Sequence, residues 1–153
     1  MLVLLRDKQF GASRSPEGSK GGFTTKIHAI TDTFGNPLDF ILTGSQASDI
    51  AQAENLLALT PEGAAALVGD KKGYDSDAFF QTLTEKGVEP VIPPRSHRFN
   101  ARDCDWFVYQ ERHLIECFFN KIKHYKRISS RYEKMAKNYM GFIRFASALI
   151  WLR

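Results

Sequence analysis

Apolar positions recur at helical spacing in four places along the chain. At about 100° per residue, Val108, Ile115, Phe118, Phe119 and Ile122 share one arc of a helix running through Tyr109–Lys123. Beside that arc runs a polar stripe of Tyr109, Arg112, Glu116, Asn120 and Lys123, within about 40° either side of Glu116. Met135, Tyr139, Phe142, Ile143, Ala146, Leu149 and Ile150 predict a core-packing helix over Lys134–Trp151. Ile50, Ala53, Leu56 and Leu57 predict another over Ile50–Leu59, capped by Ser48 or Asp49. Phe79, Phe80 and Leu83 predict one over Ser76–Lys86, ended by Gly87.

Strands read differently. Phe23–Thr31 alternates in part and is rich in β-branched residues, and Leu38–Thr43 follows the turn signal Phe34-Gly35-Asn36, so the two predict a hairpin. Ala64–Val68 has no polar alternation, as a central strand covered on both faces requires. Val88–Pro93 is a further strand, stopped by Pro93-Pro94. The predicted order is strand, strand, helix, strand, helix, strand, helix, helix, an α/β arrangement. Residues 1–20 open on a short apolar run and continue into Gly11–Lys20, turn-rich and poor in apolar residues. They are expected to be a flexible amino-terminal segment, with residues 21–153 as the domain.

The 153 residues suffice for one domain with a core, and 43% hydrophobic with 25% charged residues is ordinary for a globule. No apolar run approaches the roughly 20 residues that span a bilayer, and Met1–Leu5 is too short for a secretion signal. Cys104 and Cys117 fit no zinc-ligand spacing and no disulfide framework, so a reduced, cytoplasmic chain is expected. The net charge of +4 hides an asymmetry: Met1–Pro94 holds 8 Lys/Arg against 12 Asp/Glu, whereas Arg95–Arg153 holds 13 against 5. A basic half of this kind points to a nucleic-acid partner.

Two carboxylates stand out. Glu116 is the one acid of a cationic stripe, a setting that suits a metal ion and a phosphate together. The same Arg112–Glu116 spacing also serves merely to stabilise an exposed helix by about a few tenths of a kcal/mol. Asp70 ends the central strand, where open α/β sheets place their ligands, although a loop aspartate before a helix reads the same way. Asp32 is read as a turn residue held by backbone hydrogen bonds. Arg95, His97, Arg98 and Arg102 form a basic loop suited to DNA backbone contacts, with His97 at the surface.

Tyr109, Arg112, Glu116 and Lys123 follow the pattern Tyr, two residues, Arg, three residues, Glu, six residues, Lys. With Gly21-Gly22-Phe23-Thr24-Thr25-Lys26-Ile27-His28, Gly73-Tyr74-Asp75-Ser76-Asp77, Val91-Ile92-Pro93-Pro94-Arg95 and Arg131-Tyr132, this pattern resembles the DDE transposases of bacterial insertion sequences from Gly21 to Arg153. The resemblance implies a ribonuclease H-like mixed sheet flanked by helices. It implies Asp70 and Glu116 as catalytic residues and ligands of Mg²⁺ or Mn²⁺, and Tyr109, Arg112 and Lys123 as DNA-binding residues. It implies cleavage and strand transfer at transposon ends, with DNA as partner and a homo-oligomer as the active form.

The sequence departs from that family in two places. The fold begins with three antiparallel strands, the first bearing an Asp-Ser-Thr word with the first acid. Only two strands are read here before the first helix, no such word occurs, and Asp7 in Arg6-Asp7-Lys8 is a poor substitute. The first strand is therefore expected to be absent. The family word Asp-Lys-Gly-Tyr-Asp-Ser carries one extra lysine here, in Asp70-Lys71-Lys72-Gly73-Tyr74-Asp75-Ser76. The extra residue is expected to bulge after Asp70, the alternative being a shift that puts Lys71 in its place. Three acids normally share two ions about 4 Å apart, so two acids predict weak metal binding and little catalysis. The chain then reads as the carboxy-terminal part or second reading frame of a transposase, completed by fusion to an upstream product. A non-catalytic DNA-binding remnant or regulator is the alternative.

Overall fold

A computed structural model describes residues 1–10, 25–60 and 62–152. Its centre is a five-stranded sheet formed by β1 (Leu2–Phe10), β2 (Thr25–Thr31), β3 (Pro37–Gly44), β4 (Ala66–Val68) and β5 (Glu89–Val91), in the order β3-β2-β1-β4-β5. β1, β2 and β3 pair antiparallel, whereas β4 lies parallel to both β1 and β5. Three antiparallel strands followed by two parallel ones, with helices on both faces, make a ribonuclease H-like mixed sheet.

The expectation of a missing first strand is overturned. Leu2–Phe10 is that strand, central in the sheet, so its residues are not the flexible segment expected of 1–20. The remainder of that segment, residues 11–20, lies outside the described residues. The run Arg6-Asp7-Lys8 concealed the strand, because charged residues in a row carry neither alternation nor a buried-run signature. In the sheet the run alternates: Arg6 and Lys8 share a face with Leu4 and Phe10, while Asp7 shares the opposite face with Val3.

Each face buries its own core. On one side Val3, Ile30 and Leu67 pack with Ala53 and Leu56 of α1 (Asp49–Ala58) and Phe79 and Leu83 of α3 (Asp77–Glu85). Between them the short α2 (Lys71–Tyr74) sinks Tyr74 completely. It passes so near α1 that a side-chain carbon on Gly73 would lie 2.8 Å from an Asp49 carboxylate oxygen. On the other side Leu4, Phe10, Ile27 and Phe40 meet Ile115, Phe118, Phe119 and Ile122. Burial of each such side chain stabilises the fold by about 1.5–3 kcal/mol.

The predicted Tyr109–Lys123 helix is built in three pieces: α4 (Trp106–Tyr109), a 3₁₀ turn (Gln110–Arg112) and α5 (His113–Lys123). Asp105 caps the start, its carboxylate accepting from the amides of Phe107 and Val108 at 2.9 and 3.0 Å. The β2–β3 turn braces the start of α5, and a side-chain carbon at Gly35, where φ is +77°, would stand 3.0 Å from the Leu114 carbonyl oxygen. Asp32 organises that turn, accepting from the Phe34 and Asn36 amides.

α6 (Lys126–Ser129) leads to α7 (Ala136–Trp151), which is tied back to the sheet by Trp151 Nε1 donating to the Pro37 carbonyl at 2.9 Å. No helix among the described residues is long and apolar enough to cross a membrane.

Candidate nucleic-acid interface

Asp70 follows β4 in extended conformation and precedes α2. Glu116 lies one turn into α5. The apolar arc of α5 is buried against the sheet, which turns its polar flank towards the end of β4. Arg112 joins the two acids, with its guanidinium 3.9 Å from an Asp70 carboxylate oxygen and 3.3 Å from a Glu116 one. The structure therefore brings Asp70, Arg112 and Glu116 together although over forty residues separate the acids. Both lysines of the Asp70 word fall within α2, and Asp70 lies two residues past the end of β4.

Tyr109 stacks beneath Arg112, with its ring centroid 5.3 Å from the guanidinium carbon. Partial burial raises its hydroxyl pKa, opposed by Arg112 and reinforced by Asp70. Trp106, largely exposed, meets the same ring edge-on at 5.8 Å. Lys123 is exposed near the end of α5 and stands beside Lys8 of β1. Desolvation, then the charges of Lys123 and Arg6, lower the Lys8 pKa.

Two residues of this face were not anticipated. Arg6 Nη1 lies 2.5 Å from Glu116 Oε1, across 110 residues of sequence, and Lys8 extends the cationic strip along β1. The readable signal was parity with the apolar Leu4 and Phe10, visible only once the run is read as a strand. Asp7 has the strand context it was thought to lack. It faces α1, however, 3.8 Å from Lys26, which also binds Asp49 at 2.7 Å. Burial, then the Asp49 charge, hold its carboxyl above the usual range.

The basic loop is partly committed elsewhere. The buried Asp75 carboxylate accepts from Arg98 and Arg102, each at 2.7 Å, and from the Arg95 amide at 2.8 Å. Asp77 pairs with the same two arginines. Arg98 and Arg102 thus pin the loop to α3, with Arg102 also stacked 3.7 Å over Phe80, and this accounts for their charges without DNA. His97 is exposed.

A two-ion centre requires several hard oxygen donors free to take a cation. Among the described residues no three His, Cys, Asp or Glu side chains converge, and the two acids that do are already matched to guanidinium groups. As they stand, these residues do not fit a two-ion site.

The model for the transposase DDE domain matches residues 5–151. The chain is 40% identical over 133 residues to the "Putative transposase for insertion sequence element IS6501" of Brucella ovis, covering 85% of this chain and 99% of that protein. It is 27% identical over 135 residues to the "Putative transposase for insertion sequence element IS402" of Burkholderia cepacia, covering 82% of this chain and 62% of the relative. Among solved structures, a chain of the simian T-cell lymphotropic virus intasome in complex with PP2A regulatory subunit B56 gamma superposes with a TM-score of 0.54 at 15% identity. That likeness takes in 95% of this chain but only 46% of the other, and it is a likeness of fold.

Proposed function

We propose, from the premise that the chain belongs to the transposase DDE-domain family, that it engages DNA at insertion-sequence ends through the face carrying Tyr109, Arg112 and Lys123. The observation that carries this reading is the convergence of Asp70 and Glu116 on Arg112, beside the cations Arg6, Lys8 and the exposed Lys123. Lys123 and Arg112 are assigned to backbone phosphates and Tyr109 to stacking against the same strand.

The reaction proposed is the family's, cleavage and strand transfer at transposon ends, with Asp70 and Glu116 as its acids. Mg²⁺ or Mn²⁺ is the cation those acids would hold in an assembly that completes the donor set. A homo-oligomer that pairs two ends, or fusion to an upstream product, is the proposed source of what the chain lacks. DNA engagement rests on the geometry, and cleavage rests on family membership.

The test is fluorescence anisotropy with a labelled duplex bearing the element's terminal sequence. Arg112→Ala and Lys123→Ala are each expected to weaken binding several-fold and to reduce the slope of log K against log salt by about one. Glu116→Gln is expected to bind as tightly or more tightly. Unchanged affinity in both alanine variants would put the interface elsewhere.

A further inference from the structure

The face around Glu116 has the wrong sign for a cation and the right sign for a phosphate. In the parallel ladder Leu4 sits level with Val68. Two residues further along the same face come Arg6 on β1 and Asp70 beyond β4. Arg6 lies 2.5 Å from Glu116, while Arg112 spans both acids. With Lys8 and Lys123 alongside, four cationic side chains surround two carboxylates. A dication approaching Glu116 must displace a guanidinium and then face the remaining positive charges. A phosphodiester meets a cluster of net positive charge, and Arg6 and Arg112 carry the forked donors that suit its oxygens.

We propose that Arg6 is a built-in counter-ion for Glu116, which makes this centre a phosphodiester-binding site that works without a metal ion. In the isolated chain that side chain and Arg112 together occupy the Glu116 carboxylate that a divalent cation would need. The inference rests on the DNA-binding reading above but separates from it experimentally.

Two titrations of the whole chain decide it: Mn²⁺ binding, read from the free-ion electron paramagnetic resonance signal, and DNA anisotropy in EDTA and in Mn²⁺. The wild-type chain is expected to take up Mn²⁺ no better than Glu116→Gln and to bind DNA equally in both conditions. Arg6→Asp sets a third carboxylate at the strand position that faces Glu116. It is expected to gain at least tenfold in Mn²⁺ affinity, to lose that gain when combined with Glu116→Gln, and to bind DNA better with Mn²⁺ than without. Arg6→Gln, a milder change that keeps a polar side chain in the strand, is expected to weaken DNA binding in EDTA several-fold, with circular dichroism reporting an unaltered fold.

Wild-type Mn²⁺ uptake that disappears in Glu116→Gln overturns the counter-ion role. So does DNA binding that requires Mn²⁺, or an Arg6→Gln chain that folds and binds DNA like wild type. Absence of DNA binding in either condition overturns the interface reading and the phosphate half of this inference, while the Mn²⁺ titration still decides the other half.

Discussion

His28 is fully buried on the α1 face of β2, with Nε2 2.8 Å from Thr43 Oγ1 and no partner for Nδ1 among the described residues. Desolvation outweighs the nearby Asp49 carboxylate and drives its pKa from the ordinary 6.5 down to about 4. Between those values the unfolded chain binds a proton that the folded chain refuses. The histidine's contribution to stability is therefore complete above 6.5 and is lost as pH falls towards 4. Asp7, with its raised pKa, acts with the opposite sign at the acid end. His28→Gln isolates the histidine's share: urea midpoints measured from pH 7 to pH 4.5 are expected to fall less steeply in the variant than in wild type. Asp75 makes a second residue-scale case, because its side chain is 1% exposed and shared by two arginines. Asp75→Ala removes the buried acceptor that the two guanidinium groups share, leaving them Asp77, and is expected to cost about 1–3 kcal/mol in urea unfolding.

Among the elements, the amphipathic segments α1, α3, α5 and α7 were legible because each has one apolar flank to bury, and Ile115, Phe118, Phe119 and Ile122 are indeed the buried set of α5. The β2–β3 hairpin was legible from its turn. β1 was not, because Arg6, Asp7 and Lys8 at its middle serve charged contacts rather than the core. The 3₁₀ turn at Gln110–Arg112 was invisible, since the polar and apolar periods run through it without interruption. Of the site, Asp70, Tyr109, Arg112, Glu116 and Lys123 could be named from motif spacing, whereas Arg6 and Lys8 emerge only from strand pairing. The hairpin also has a positional duty that no periodicity announces: its turn abuts Leu114, two residues before Glu116. Gly35→Ala puts a side chain at a positive φ and against that carbonyl, and is expected to destabilise by roughly 1–2 kcal/mol. A fall of several degrees in Tm and weaker DNA binding at unchanged net charge would register the displaced helix.

Across the whole molecule the acidic and basic halves of the sequence do not form separate poles. Asp70 comes from the first and Arg112 from the second, and they meet beyond the end of β4. Charge asymmetry along the chain was readable, but its folding back into a mixed-sign site depends on tertiary contacts. Raising salt is expected to release DNA without unfolding the protein, because the core on either face of the sheet is apolar. Anisotropy and circular dichroism followed together through a NaCl titration check this. The sheet order has one more consequence, in time rather than in space. β2 and β3 are joined by a short turn, while β1 finds β4 across some sixty residues, so closing that loop costs entropy before any parallel pairing repays it. The hairpin is expected to form early and the β1–β4 seam late. In stopped-flow refolding, Ile30→Val should chiefly slow folding and Leu67→Ala chiefly speed unfolding, so that the strand bearing Arg6 locks the binding face into place as the last act of folding.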